Sequence, residues 1–267
     1  VGYQALTANT VAVDNVAVGK EAGAAVTTGK ENTLLGANAG DALTTGENNV
    51  AVGFRALTTA TTAGSCTAVG NNALNGCTAG NNTGIGALAL DASLTGANNT
   101  AVGYSALTAC TSGAQNTAVG YQAGNAVTTA SECTFLGRQA GAGVTTGSEN
   151  TAIGAETMMA AVTATKNTVV GRDGLRALTS GHSNNGLGSD VIRKVTTGYQ
   201  NIGFGSSAGF NLTTGYDNVA IGGNALYTET TGYGNVAIGK DAFKLLANES
   251  TNNVAIGNLA LDAQSTG

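Results

Sequence analysis

Proline and tryptophan are absent from this chain of 267 residues, and charged and aromatic residues are scarce, at 10% and 4%. The 41 glycines lack the G-X-Y period of collagen. No apolar run approaches the length of a membrane span. The net charge of −5 comes without a basic stripe, which argues against nucleic acid as a partner. The sequence therefore predicts neither membrane insertion nor nucleic-acid binding.

Groups that carry catalysis or hold metals are equally sparse. His182 is the only histidine, and it lies in a turn where a surface residue is expected. The cysteines lack the C-x-x-C spacing of a zinc site. The acidic residues are scattered over variable positions, as at Asp41, Asp91, Glu132 and Asp262. We therefore expect no enzyme activity, no metal site and no cofactor.

Glycine recurs through the chain at a nearly constant interval. Successive aligned glycines are 17 residues apart, except for one interval of 16 and one of 18. A fixed short period indicates one structural unit stacked many times. The aligned glycines are Gly2, Gly19, Gly36, Gly53, Gly70, Gly86, Gly103, Gly120, Gly137, Gly154, Gly171, Gly188, Gly205, Gly222, Gly239 and Gly257.

The repeat reads N-[TV]-A-[VI]-G-x-x-A-[LG]-x-x-x-T-T-G-x-x, which favours short strands and tight turns. A unit of 17 residues is too short for two helices but fits one coil of a β-solenoid. The prediction is an all-β, parallel β-solenoid (β-roll) of about 16 coils, with residues 1–267 as a single array. Because neither end carries a capping unit, we expect a fragment of a longer fibrous protein.

An asparagine stands four residues before the aligned glycine in 13 of 15 complete repeats, and Cys66 and Cys133 are the exceptions. Stacked asparagines can hydrogen-bond to the coils above and below. We interpret the column as a structural ladder rather than a binding site. Its members are Asn15, Asn32, Asn49, Asn82, Asn99, Asn116, Asn150, Asn167, Asn184, Asn201, Asn218, Asn235 and Asn253.

Alternation along the strand places Thr or Val and Val or Ile on one face, and Asn, Ala and Gly on the other. The larger residues suit the interior of a coil, so we expect the Ala and Gly face to point outward. Because that face is also uncharged, something must cover it, and another copy of the chain is the simplest candidate. A homo-oligomer is therefore predicted.

Two columns invite a functional interpretation. The residue after the aligned glycine varies and is expected to face solvent, so Tyr3, Phe54, Tyr104 and Tyr121 are candidate contacts for a glycan or a protein. Seven consecutive repeats carry threonine three residues before the glycine, as ice-binding solenoids do. However, valine replaces this threonine elsewhere, and the residue two places on is apolar, which favours an interior or interface position.

The cysteines give a weak indication of redox state. Cys66 and Cys133 share one phase of the repeat, and Cys77 and Cys110 share another. Coil spacing puts the members of each pair farther apart than a disulfide allows in a straight rod. A bond between Cys66 and Cys77 stays open, with nothing in the sequence to favour it, and free buried thiols are expected.

The core N-[TV]-A-[VI]-G-x-x-A resembles the repeats of trimeric autotransporter adhesin heads and of phage tail fibres. Residues 99–107 and 116–124 match it closely, and the resemblance covers the whole chain. Adhesin-head units are usually shorter, so the period here fits the tail-fibre arrays better. The resemblance implies a homotrimer of parallel β-rolls outside a cell, at a cell surface or on a virion.

These observations support three hypotheses about function. The first is a stiff trimeric shaft or head that acts as a spacer and as an attachment surface for a cell-surface glycan or protein receptor. The second is a structural extracellular filament without a receptor role. The third is an ice-binding solenoid.

Overall fold

The computed structural model describes residues 1–245 and 249–262. The chain divides into two compact units, Val1–Glu132 and Cys133–Gly267. Each is built from the same 17-residue coil, and the described residues contain only short strands and turns, without helices. The predicted all-β, parallel β-solenoid is confirmed. The described residues hold fifteen strands, one fewer than the sixteen coils expected, because only one residue precedes Gly2.

Each coil contributes one strand of three residues, which lies directly before the aligned glycine. The first unit holds β1 (Val16–Val18), β2 (Thr33–Leu35), β3 (Val50–Val52), β4 (Thr67–Val69), β5 (Thr83–Ile85), β6 (Thr100–Val102) and β7 (Thr117–Val119). The second holds β8 (Thr134–Leu136), β9 (Thr151–Ile153), β10 (Thr168–Val170), β11 (Asn185–Leu187), β12 (Ile202–Phe204), β13 (Val219–Ile221), β14 (Val236–Ile238) and β15 (Val254–Ile256).

Strand pairing within each unit is parallel and always joins neighbouring coils. The register follows the sequence period, so that Val16 pairs with Thr33 and Val219 with Val236. The two irregular intervals are absorbed without a change of register, since Thr67 pairs with Thr83 and Val236 with Val254. The extra or missing residue is therefore taken up in the turns, and equivalent strand positions stay aligned.

The aligned glycines are required by both backbone conformation and space. All sixteen have φ between +127° and +147°, a region that side chains disfavour. They also stack on one another: a Cβ atom on Gly53 would lie 2.5 Å from the carbonyl oxygen of Gly70. Glycine is therefore the residue that fits this position in each coil.

The prediction of which strand face points inward is wrong. The middle residue of every strand is buried, whereas the first and third residues are exposed or half-buried. In β6, Ala101 is inaccessible to solvent while Thr100 and Val102 reach the surface. The ladder asparagines are inside as well. The interior is narrow, so most strand centres are small, and the outer face of each unit carries Thr or Val at most first strand positions and apolar residues at all third strand positions.

The interior is packed by residues that complement each other in size. Most strands carry alanine or glycine at the centre and a bulky residue four places after the aligned glycine, such as Leu107 after Gly103. In the coils whose strand centres are Leu34 and Phe135, the second position is glycine: a Cβ on Gly40 would lie 2.8 Å from Leu34, and one on Gly141 would overlap the ring of Phe135. In these two coils, glycine makes room for the large strand centre.

Candidate functional site

The asparagine column forms a continuous hydrogen-bonded ladder in each unit, apart from its cysteine members. In the second unit the side-chain amide of Asn184 donates to Asn167 Oδ1 at 3.0 Å and to the carbonyl of Gly198 at 2.9 Å. Its own Oδ1 accepts the backbone N–H of Asn201 at 3.1 Å and the Nδ2 of Asn201 at 3.0 Å. Asn32 and Asn15 make the same contact in the first unit, at 3.0 Å.

The ladder asparagines are inaccessible between Asn32 and Asn116 and between Asn150 and Asn235. Cys66 takes the place of an asparagine at one coil, where its backbone N–H still donates to Asn49 Oδ1 at 2.9 Å. Each interior amide uses both its oxygen and its nitrogen within the protein. The ladder therefore holds the coils together and presents no group to a ligand.

The four aromatic candidates that follow an aligned glycine all lie at the surface. Tyr3 is 68% exposed, and Phe54, Tyr104 and Tyr121 are about half exposed. Tyr104 and Tyr121 stack with ring centroids 5.5 Å apart, and the guanidinium of Arg55 lies 5.3 Å from the ring of Phe54. The four share one column, but only the Tyr104–Tyr121 pair is in ring contact among the residues described.

A longer aromatic stack, which was not predicted from the sequence, lies in the second unit. The rings of His182, Tyr199, Tyr216 and Tyr233 follow one another at centroid distances of 5.0, 4.8 and 4.8 Å. Each residue follows the glycine of a Thr-Thr-Gly type turn, so their spacing of 17 residues was a usable signal. His182 is exposed, as expected, and its ring is held by this stack.

Three basic residues of the second unit, Arg176, Arg193 and Lys194, line a groove, which we call the basic groove. Its lining residues are Met159, Ala160, Arg176, Ala177, Arg193, Lys194 and Phe210, and its volume is about 530 Å³. They occupy two adjacent columns, five and six residues after successive aligned glycines. The spacing of these residues in the sequence did not indicate that they share one concave surface.

Carboxylates surround the basic groove on one side. Arg176 forms ion pairs with Asp173 and, at 2.7 Å, with Glu156, which also pairs with Arg138. The hydrogen bond to Asp173 raises the pKa of Arg176, so this guanidinium stays protonated. Arg193 pairs with Asp190 at 3.1 Å. The arginines are thereby held in place by their own chain.

One buried carboxylate could have suggested catalysis. Glu229 is inaccessible to solvent and occupies a core position that is usually apolar. Its Oε1 accepts backbone N–H groups from Thr230, Thr231, Gly232 and Glu249, and its Oε2 accepts that of Ser250. Because its carboxylate oxygens accept backbone N–H groups from its own turn and from the next coil, Glu229 caps the turn before the 18-residue interval.

Among residues 1–245 and 249–262, no group of three His, Cys, Asp or Glu side chains is arranged to hold a metal ion. Over the same residues, no helix is long and apolar enough to cross a membrane. The four cysteines are buried and reduced. The surfaces that remain as candidates for function are the outer sheet faces, the aromatic stacks and the basic groove.

Comparison with known proteins does not assign a family. No protein-family model matches the chain, and no curated protein matches it.

Proposed function

We propose that this chain is a segment of a fibre displayed outside a cell or on a virion. Three copies associate into a stiff shaft or head that acts as a spacer and as an attachment surface. The observation that carries the proposal is the apolar outer face of each unit. The resemblance of the repeat to tail-fibre and adhesin-head arrays supports the same interpretation.

The third residues of the strands form an apolar stripe on the outer face of each unit, beside the first residues, which are mostly Thr or Val, and neither stripe carries a charged side chain. In the first unit Val18 is 40% exposed and Leu35 is 45% exposed. In the second unit Leu187 and Phe204, from neighbouring strands, are 52% and 43% exposed. Monomeric proteins rarely leave contiguous apolar patches of large size open to water. A further copy of the chain offers the same face with the same coil spacing, so the surfaces can match coil by coil.

This proposal keeps the predicted homo-oligomer but changes the surface through which it forms. The contact was predicted at the Ala and Gly face, which is inside the coil. The outward Val, Ile, Leu and Phe side chains bury more apolar area per residue than alanine would. Closed rotational symmetry repeats one contact in every copy and leaves no face uncovered.

The first test is the mass of the protein in solution, measured by light scattering at several concentrations. We expect a discrete species near three times 26.0 kDa. Substituting Leu187→Lys and Phe204→Lys together places two charges in the covered face, and the mass should fall toward 26.0 kDa because buried unpaired charges are costly. Thr214→Lys, at an exposed turn residue outside this face, is the matched control and should stay trimeric.

Other masses would change the interpretation. A stable monomer of the unsubstituted protein would contradict the trimer. Growth of the particles without limit as concentration rises would favour the structural filament without a receptor role. Attachment itself is tested by binding to cells, which should be saturable and stronger for the trimer, because association multiplies each weak surface contact.

Ice binding stays a second candidate because the threonine column faces outward. Thr100 is half-buried and Thr117 is exposed, and they pair in register on neighbouring strands. These threonines therefore do not occupy the interior position that argued against ice binding. The face would order water only if it stayed uncovered, so thermal hysteresis of a monomeric protein would support this candidate, and a trimer without hysteresis would remove it.

A further inference from the structure

The basic groove of the second unit combines an apolar floor with cationic walls. Met159, Ala160 and Ala177 supply the apolar surface, and the small alanines leave room for a ligand. Arg193 and Lys194 come from the next coil. A volume of about 530 Å³ lies within the range of roughly 300–1,000 Å³ that is typical of small-ligand sites.

The cations of the groove are not equally neutralised. Arg176 is paired with two carboxylates, and Arg193 binds Asp190 through one of its nitrogens. Lys194 donates to Asn211 Oδ1 at 2.8 Å and lies 5.2 Å from the centre of the Phe210 ring. Within the described part of the chain, Lys194 has no carboxylate partner. The groove thus offers an uncompensated positive charge in a protein whose net charge is −5.

Phe210 holds these cations in place rather than offering its ring to a ligand. Arg193 lies over the ring at 5.8 Å from its centre, and Tyr227 stacks with it at 5.2 Å. The stack therefore orders the basic side chains along the groove. Side chains that are fixed before binding lose less entropy when a ligand arrives.

We propose that the basic groove binds an acidic sugar unit, one that carries a carboxylate or sulfate group. The anionic group meets Lys194 and the remaining N–H groups of Arg193, and the C–H face of the ring packs on Met159 and the two alanines. A rigid ring suits this arrangement better than an acidic peptide, whose flexible side chains must be ordered on binding. This assignment deepens the proposed function, on whose attachment surface it rests.

Calorimetric titration of the trimer with defined oligosaccharides tests the site. The probes are sialyllactose and a hyaluronan tetrasaccharide, which carry carboxylates, a heparin-derived tetrasaccharide, which also carries sulfates, and lactose, which is neutral. We expect the acidic probes to bind and lactose not to bind. Lys194→Ala should weaken binding about tenfold, because it removes a charged hydrogen-bond donor. Lys240→Ala removes a lysine that is 74% exposed and outside the groove, and it should bind like the unsubstituted protein.

Several outcomes would overturn the assignment. Equal binding of lactose, or equal loss in the Lys194→Ala and Lys240→Ala variants, would remove the groove as the site. Competition by a glutamate-rich peptide at the same concentration would identify a general anion surface instead of a sugar site. If the protein bound cells saturably but bound no acidic sugar, the groove would not be the sugar site, and the attachment function would still hold.

A separate observation concerns Cys66 and Cys77 in the first unit. Both thiols hydrogen-bond to one carbonyl, that of Ala79, with sulfur–oxygen distances of 3.4 and 3.0 Å. Cys66 stands at the ladder position and Cys77 at the core position of the same coil. Cys110 stands at a core position, and the ladder residues of its own and the next coil are Asn99 and Asn116. Cys133 stands at a ladder position, and the core residue of its coil is Val144. Neither cysteine therefore has a second thiol at the position that Cys66 and Cys77 provide for each other.

We infer that Cys66 and Cys77 form a disulfide when the protein meets an oxidising small-molecule disulfide such as oxidised glutathione. The Cys66 thiolate attacks the glutathione disulfide and releases one glutathione thiolate. The Cys77 sulfur then attacks the Cys66 sulfur of the mixed disulfide, and its proton passes to the second glutathione, which leaves as a thiol. Two protein thiols are oxidised and one disulfide is reduced. The neighbouring Cys77 lowers the pKa of Cys66 to about 7, whereas this contact and burial raise the pKa of Cys77, so Cys66 is the attacking group.

Proteolytic cleavage after acidic residues separates the four cysteines. Cuts after Glu47, Asp91 and Glu132 leave Cys66 and Cys77 on one peptide and place Cys110 and Cys133 on two others. After incubation with oxidised glutathione and alkylation in denaturant, peptide 48–91 should carry an internal disulfide and no alkyl group. The peptides that hold Cys110 and Cys133 should be alkylated. Two alkyl groups on peptide 48–91, or a disulfide that involves Cys110 or Cys133, would overturn the inference. A Cys77→Ser variant should leave Cys66 alkylated or joined to glutathione.

Discussion

The Gly222→Ala variant is expected to lose about 4 kcal/mol of its free energy of unfolding, which is a large share of the stability of an ordinary domain. Gly222 has φ of +127°, and its new Cβ would lie 2.5 Å from the carbonyl oxygen of Gly239 on the next coil. The obstacle is backbone, which cannot rotate away as a flexible side chain could. The strands on both sides would have to separate, and their hydrogen bonds would weaken.

The neighbouring residue supplies the control. A Cβ on Gly223 would come no closer than 4.0 Å to another group, the carbonyl oxygen of Ser206. Gly223→Ala should therefore change stability by less than about 0.5 kcal/mol. Chemical denaturation followed by circular dichroism measures both variants. If the two variants had equal free energies of unfolding, the coils could move apart at little energetic cost. The steric explanation of the glycine stack would then be wrong.

Asn184→Ala should destabilise the protein by roughly 3–5 kcal/mol, since it leaves several buried groups without partners. The N–H and Nδ2 of Asn201 lose their acceptor, and the carbonyl of Gly198 loses its donor. All of them lie in the interior, where a missing hydrogen bond costs more than at the surface. The loss is measured as the shift of the midpoint in urea.

Asn71→Ala is the control substitution, at an exposed asparagine outside the strands. Asn71 lies in the turn after the aligned Gly70, so truncating its side chain should change the free energy of unfolding by less than about 0.5 kcal/mol. If the two variants unfolded at the same urea concentration, water would have replaced the lost bonds at Asn184. The ladder would then be dispensable at that coil.

The interior shows where prediction from sequence was complete and where it failed. The asparagine column was recognisable because its members repeat in phase and stacked amides can satisfy each other. The complementary sizes of Leu34 and Gly40, and of Phe135 and Gly141, were not recognised. Their contact depends on the path of the turn that joins the two positions. That path runs through left-handed residues such as Gln139, which the repeat does not mark with glycine.

The candidate surfaces divide in the same way. Tyr104 and Tyr121 were predictable as exposed, since variability within a rigid repeat indicates solvent. The basic groove was not, because Arg176, Arg193 and Lys194 belong to two different columns. Only the side-by-side placement of those columns turns scattered charges into one concave site.

The sequence by itself determined the period, the parallel register and the need for glycine at each coil, because each follows from identical residues stacked at a constant interval. Only the tertiary structure decided which strand face is inside. Alternation states which residues share a face but not where that face points. The coil closes tightly, so Ala101 and Asn99 fit its interior, and Val102 is left outside. That reversal creates the apolar outer face on which the proposed function rests.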